Sequence, residues 1–318
     1  MKLVVITGCL GFIGSHVTKK CLDLGWKVLG IDNFTYAANE DLVGYFLEKY
    51  EDNFDFMRCD ISELKYLPDC DYVINTAAET HVGNSIIDSK DFLKSNINGV
   101  QNLLDLIKAK PNNVDNRPIL FHFSTDEVYG DIVLGEHYET DHLSPSNPYS
   151  ASKAAADMLI KAWARTYGIE YIIFRPTNNY GEYQYPEKLI PLSVKLLQRG
   201  KKIRLHDEGK PVRNWLHAED TANAVISIVN SGKVNEIYNV AGGFEQENRE
   251  TVKKIIESFH GPEANWLDYV DLGYKREGQD VRYALNDDKL RSLGWKPEKI
   301  FNEEIPKLVQ FYKHNFKW

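Results

Sequence analysis

Residues 6–17 read ITGCLGFIGSHV. The run KLVVIT at 2–7 leads in with apolar and β-branched residues, and the residues that follow Gly14 have a helical pattern. Between them Gly8, Gly11 and Gly14 recur at every third position. A chain that leaves a strand, turns sharply and enters a helix has little room there for side chains. This is the opening βα unit of a parallel sheet. An export signal is the competing reading of an apolar N-terminus, but the glycines interrupt the run and no plain small-residue cleavage pattern follows.

Working outward, the runs KVLGID (27–32), FDFMRCD (54–60), DYVINTA (71–77), ILFHFST (119–125) and EYIIFRP (170–176) are separated by helix-like segments. The runs are nearly continuously apolar, as strands buried on both faces should be. Residues 91–110 put Phe92, Leu93, Ile97, Val100, Leu103, Leu104 and Ile107 on a helical stripe, and the Ala-rich segment 150–168 reads as a helix that stops at Gly168. The alternation predicts an α/β fold, a Rossmann-type doubly wound parallel sheet. After Pro176 it fades into polar, aromatic and basic stretches. We therefore expect a dinucleotide-binding domain over 1–176 and a smaller C-terminal substrate-binding lobe over 177–318, with segments around 213–240 returning to the main sheet.

The glycine loop, with Phe12 and Ile13 inside it, offers free backbone N–H groups and a helix N-terminus to a pyrophosphate. The next strand ends LGIDN, which places Asp32 and Asn33 where an adenosine ribose is gripped. An acid there repels a 2′-phosphate, so the expected cofactor is NAD. Ligands of open sheets bind at the carboxyl ends of strands. Asp60 and Ile61 in CDIS are accordingly expected near adenine, and Ala77 and Ala78 in NTAAETHVGNS against the flat cofactor.

The totals narrow the classes. With 43% hydrophobic and 26% charged residues, 318 residues make an ordinary soluble globular protein with room for two lobes. A net charge of -8 argues against general binding to nucleic acid or anionic lipid, though a local basic pocket for a diphosphate is compatible with it. No stretch is long enough to span a bilayer, and no membrane partner is expected. Cys9, Cys21, Cys59 and Cys70 lack C-x-x-C spacing and read as reduced thiols of a cytoplasmic protein. The histidines show no metal-binding spacing, so no metal is expected.

Two stretches carry chemistry. NPYSASKAAADM (147–158) contains Tyr149 and Lys153, four residues apart and hence on one face of a helix. A tyrosine is a poor base at neutral pH unless a cation such as Lys153 stabilises its phenolate. STDEVYG (124–130) follows the strand ILFHF with two hydroxyls, Ser124 and Thr125, and two adjacent acids, Asp126 and Glu127. Consecutive strand residues face opposite ways. Both acids reach one pocket only if the strand ends before Asp126.

Together with TYAAN, AAETHV, NNYGEYQYPEKLIP, RNWLHAED, YNVAGG and VRYALNDDKLRSLGW, these segments resemble, in order and over nearly the whole length, the extended short-chain dehydrogenase/reductases that act on nucleotide sugars. The nearer likeness is to the nucleotide-diphosphate-hexose 4,6-dehydratases. The resemblance implies that Tyr149 takes the C4 hydroxyl proton as hydride passes from C4 to NAD, with Thr125 near the C4 oxygen and Lys153 beside the tyrosine. Glu127 then removes the C5 proton and Asp126 protonates the departing C6 hydroxyl. Asp126 is thus expected to be protonated and Glu127 ionised. It also implies that His81, Ser85, Asn178, Asn179, Lys188, Leu189, Arg213, Asn248 and Arg282 grip the nucleotide or sugar, and that helices over 91–110 and 150–167 pair two copies into a homodimer.

The sequence departs from that family in two places. A bacterial HVDRS pattern appears as His81, Val82, Gly83, Asn84 and Ser85, and an RPGHD pattern as Arg276, Glu277, Gly278, Gln279 and Asp280. Asn84 resembles the plant UDP-sugar enzymes, and the second change touches the expected base site, so UDP is favoured over dTDP; the space at Gly83 admits N-acetylglucosamine as an alternative to glucose. Two rival readings share the cofactor half. A sugar 4-epimerase does not need two acids after the strand, and a non-catalytic dinucleotide sensor needs none of Tyr149, Lys153, Asp126 and Glu127.

Overall fold

A computed structural model of the chain describes residues 1–111, 117–274 and 280–315. Its first half alternates β1 (Leu3–Thr7), α1 (Phe12–Asp23), β2 (Lys27–Asp32), α2 (Asp41–Lys49), β3 (Phe54–Arg58) and β4 (Tyr72–Asn75). Short helical pieces α3 (Val82–Ile87) and α4 (Lys90–Leu93) run through a π-turn (Lys94–Asn98) into α5 (Gly99–Lys108), followed by β5 (Ile119–Phe123), α6 (Pro148–Tyr167) and β6 (Tyr171–Pro176). The second half holds β7 (Asn178–Tyr180), α7 (Leu189–Gln198), β8 (Ile203–Arg204), β9 (Val212–His217), α8 (Ala218–Ser231), β10 (Glu236–Val240), β11 (Glu245–Glu247), α9 (Asn248–His260), β12 (Val270–Asp271), α10 (Asp288–Arg291) and α11 (Phe301–His314).

The main sheet has seven strands in the order β10-β6-β5-β4-β1-β2-β3, all parallel. The inner strands are apolar on both faces, which helices cover, whereas the edge strand β3 leaves Asp55, Met57 and Arg58 exposed. Val4 and Ile6 pack with Val17 and Cys21 of α1 and Val225 and Ile228 of α8, whereas Val5 packs with Leu103 and Ile107 of α5 and Ile160 of α6. Each such fully buried side chain contributes roughly 1.5–3 kcal/mol. β1 and β4 are neighbours from which the chain proceeds in opposite directions, so the loops after them face each other across a crevice.

The six strand runs read from the sequence are β1 to β6. Two details differ from the reading. The helical stripe over 91–110 slips at the π-turn, which inserts one extra residue per turn: Phe92, Asn96 and Val100 are buried while Leu93 is exposed. Of the stretch 213–240, residues 213–217 do not return to the main sheet. They run in a small sheet, β11-β9-β7, and only α8 and β10 rejoin the large one, β10 as its edge strand beside β6. Helices α7, α9 and α11 close a separate apolar core with Val194, Ile255 and Leu308. The polar loops between these two cores lie at the carboxyl end of the main sheet.

Candidate active site

Two cavities open at that end. The first is lined by Gly8, Gly11, Asp32, Asn33, Asp60, Ile61, Ala77 and Ala78, together with Thr35, Thr76 and Ser95. Gly8 has φ +70°, and a Cβ on it would come within 2.7 Å of the Ala77 backbone. A Cβ on Gly14 would meet the Gly8 carbonyl oxygen at 1.9 Å. These glycines hold the turn flat against the β4 loop and leave a cradle that side chains would fill. Phe12, Ile13 and Gly14 support the loop without lining the cavity. Asp32 serves two masters: its carboxylate accepts from the backbone N–H groups of Leu10 (3.1 Å) and Phe34 (2.9 Å), and it also forms part of the wall. Burial raises its pKa, against the pull of those N–H bonds. Asp60 is held by Lys94 at 2.9 Å. The cradle and the acid fit a dinucleotide. Gly14→Ala is expected to reduce the NAD carried by the purified protein and to lower the unfolding midpoint by roughly 3–10 °C, read by nucleotide release on denaturation and by calorimetry. Full NAD content at an unchanged midpoint would contradict this.

The second cavity, of about 820 Å³, is lined by His81, Glu127, Asn147, Asn178, Asn179, Lys188, Leu189, Arg213, Trp215, Asn248, Asp280 and Tyr283 among others. Its walls come from both halves of the chain. Asn178 Oδ1, Asn248 Oδ1 and Trp215 Nε1 are buried without a hydrogen-bond partner, an uncommon state for polar atoms in a finished interior. Arg213 is braced by the carbonyls of Val212 (2.7 Å) and Asp280 (3.1 Å). Two expected binders lie elsewhere. Ser85 is buried in α3, donating to the Val82 carbonyl at 2.7 Å, because the short helix turns its face inward. Arg282 is engaged by Glu245, with Nε–Oε2 at 2.9 Å, and by the Gly135 carbonyl, so neither lines this cavity. His81 reaches the wall while also capping α3 through the Asn84 N–H. Arg276, Glu277, Gly278 and Gln279 lie outside the described residues.

At the floor stand the acids. β5 stops at Phe123, and Asp126–Tyr129 form a 3-10 turn capped by Thr125, whose Oγ accepts from the Glu127 N–H at 3.3 Å. The turn, not a strand, carries the two carboxyls. Glu127 lines the cavity; Asp126 lies behind it, nearly buried, accepting from Thr125 Oγ1 at 3.0 Å with its other oxygen unpartnered. Burial, then the negative charge of Glu127, pushes the Asp126 pKa up to about 7. Burial also raises Glu127, against the attraction of Arg213 and the amide of Asn147. Tyr149, in the first turn of α6, is pushed well up by burial and by both carboxylates, against the opposing influence of the Thr125 hydroxyl. Ser124 points away, donating to Asp157 at 3.1 Å. Lys153 is buried and its ammonium donates to the Phe123 carbonyl, at the end of β5, rather than to the phenol; burial lowers its pKa to about 8. Asn96 was not anticipated: its amide donates to the Glu79 carbonyl (3.0 Å) and Ser152 (2.9 Å), tying the loop after β4 to α6. Its only sequence signal is a polar residue in an apolar stripe.

Beside the cavities, the Tyr36 hydroxyl donates to Glu187 at 3.1 Å, its ring stands edge-on to Tyr185, and Lys188 donates to the Thr80 carbonyl at 3.1 Å. The loops after β2 and β4 are thus clasped to the segment before α7.

Comparison with known proteins places the chain. Residues 5–308 match the family model described as GDP-mannose 4,6 dehydratase. The chain belongs to this family. It is 38% identical to a dTDP-glucose 4,6-dehydratase of Haemophilus influenzae, over 99% of both chains, and 36% identical to the low-salt glycan biosynthesis protein Agl12 of Haloferax volcanii, over 97% of this chain and 98% of the other. Among solved structures, a dTDP-glucose 4,6-dehydratase of Streptomyces venezuelae with NAD bound superimposes with a TM-score of 0.91 at 34% identity, covering 98% of this chain and 97% of that one. A UDP-glucose 4-epimerase of Thermus thermophilus shares the family's fold at 25% identity and a TM-score of 0.84.

Proposed function

We propose that this member of the family is an NAD-dependent 4,6-dehydratase of nucleotide-diphosphate hexoses, with dTDP-glucose as its substrate. The observation that carries the reading is the 3-10 turn at the cavity floor, which sets Asp126 and Glu127 in different surroundings beside Tyr149. An epimerase has no use for that pair.

When bound, NAD supplies the acceptor for the C4 hydrogen and returns it to C6 at the end. The chain does the rest. Tyr149 takes the C4 hydroxyl proton as its phenolate, a form that a turn of the Lys153 ammonium from the Phe123 carbonyl toward the phenol would stabilise. The C4 carbonyl acidifies the C5 hydrogen. Glu127 removes that proton while Asp126 gives its own to the C6 hydroxyl, so that the C6–O bond breaks, water leaves and a C5=C6 double bond forms; Glu127 returns its proton to C5 as C6 is reduced. General acid and base groups of this kind contribute about 10² to 10⁴ each. Arg213 and Lys188 supply positive charge to a diphosphate, and the unpartnered oxygens of Asn178 and Asn248 suit sugar or base donors.

The dTDP assignment follows the relatives. The expectation of UDP rested on Asn84 and on residues 276–280, of which only Asp280 is described, and that of N-acetylglucosamine on Gly83; neither has independent support. The homodimer through 91–110 and 150–167 is part of the proposal, resting on the exposed Leu93 and Met158 of those helices. So is a reducing, cytoplasmic setting, which suits four unpaired thiols. Among the described residues no helix is long and apolar enough to cross a membrane, and no cluster of His, Cys, Asp and Glu could hold a metal.

The test offers the protein dTDP-glucose, UDP-glucose and UDP-N-acetylglucosamine separately, with mass spectrometry and NMR of the products. The expected result is loss of one water from dTDP-glucose at the highest kcat/KM, giving the 4-keto-6-deoxy sugar. A product of unchanged mass inverted at C4 would establish the epimerase instead.

A further inference from the structure

Asn147 serves two elements at once. Its Oδ1 accepts from the Ser150 N–H at 2.9 Å, and Ser150 Oγ accepts in return from the Asn147 N–H at 3.2 Å, closing a capping box at the start of α6. Its amide nitrogen donates the other way, to Glu127 Oε2 at 3.3 Å. The side chain is nearly buried, yet it reaches the cavity wall. One residue therefore fixes the helix end that carries Tyr149 and touches the carboxylate that faces the sugar cavity. The bracing continues behind it: Ser146 donates to Asp280 at 2.8 Å, and Tyr283 donates to the same carboxylate oxygen.

We propose that Asn147 is a positioning residue for the elimination step, its amide holding Glu127 ionised and in register with Tyr149. This rests on the dehydratase reading given above. An ordinary helix cap needs only the oxygen, and a serine or aspartate would serve as well. The amide donor goes beyond capping, and a carboxylate that accepts such a bond is stabilised in its charged form. The other groups that face Glu127 are Arg213 from β9 and Lys188 before α7, which favour its charge, Asp280, which opposes it, and Asp126, Tyr149 and Tyr283, which are themselves raised by it. Asn147 is the neutral donor among these neighbours.

The test uses Asn147→Ser and Asn147→Asp, which keep the cap and remove the amide; circular dichroism and the unfolding midpoint report whether α6 is retained. Single-turnover reactions in deuterated water, quenched over time, separate C4 oxidation from exchange and elimination at C5. In both variants, C4 oxidation is expected within about twofold of the parent and elimination slowed about tenfold. Loss of the donor favours protonated Glu127, so the acid limb of the elimination rate moves to higher pH by about one unit, and further in Asn147→Asp, where a second carboxylate adjoins the first. If either folded variant keeps the parent's acid limb and elimination rate, or loses oxidation and elimination in equal measure, the positioning role is wrong. A parent protein that dehydrates none of the three sugar nucleotides would instead overturn the dehydratase reading, and this inference with it. Should Asn147→Ser fail to fold, Asn147→Asp decides alone.

Discussion

Glu127→Gln is expected to form the C4-oxidised sugar but to release almost no dehydrated product. The amide fills the same space and keeps a hydrogen-bonding group beside Asn147, yet it cannot accept the C5 proton. Turnover should fall by about 10² to 10⁴. Oxidation at C4 depends on Tyr149 and Thr125, which the substitution leaves in place. Removing a negative charge from beside Tyr149 also lowers the phenol's pKa toward its ordinary value, because Glu127 is one of the groups that raises it. Quench-flow mass spectrometry distinguishes the outcomes: the oxidised sugar has lost two hydrogens, the product one water. Dehydration at the parent's rate would remove Glu127 from the chemistry, and failure to oxidise C4 would show that it serves binding instead.

Asp126→Asn should be as damaging to elimination, again by about 10² to 10⁴, and it should change the shape of the pH profile. Asp126 has its pKa pushed up to about 7, by burial first and by Glu127 second. Below that value it holds the proton that the C6 hydroxyl requires. As pH rises through it the donor is lost and the elimination rate falls. Glu127 works in the opposite sense, since it must be ionised, so the rate falls again in acid; burial places that limb above the ordinary carboxylate range. The two acids interact, and the limbs belong to the pair. In Asp126→Asn the fall on the alkaline side should vanish from the residual activity. An alkaline limb unchanged in the variant would assign it to another group, such as Lys153, whose pKa burial lowers to about 8.

Much of this was legible from residue patterns because the constraints are local. Continuous apolar runs dictate strands covered on both faces, and Gly8 and Gly14 stand where the backbone leaves no space for a Cβ. The end of β5 before Asp126 followed from the alternation of side chains on a strand. What escaped depends on distant partners. The inward turn of Ser85 follows from packing of a six-residue helix, and the loss of Arg282 from the cavity follows from Glu245, thirty-seven positions away. The Lys153 ammonium was expected at the phenol because the four-residue spacing puts both on one helix face. The spacing is as read, but the nearby carbonyl at the end of β5 competes for the charge. Asn96 escaped for a related reason: an extra residue in the helical turn alters which side chains face inward, and periodicity assumes a constant pitch.

The clasp of Tyr36 and Tyr185 with Glu187, and of Lys188 with Thr80, has a bearing on how the catalyst is stocked. A reaction that hands its borrowed hydrogen back within each cycle has no need to exchange the carrier, and these contacts tie the loops after β2 and β4, the strands that flank the dinucleotide cradle, to the segment before α7. Such a protein would leave a gel-filtration column still charged, active at once and indifferent to added coenzyme, behaving toward its dinucleotide as haem proteins do toward their haem.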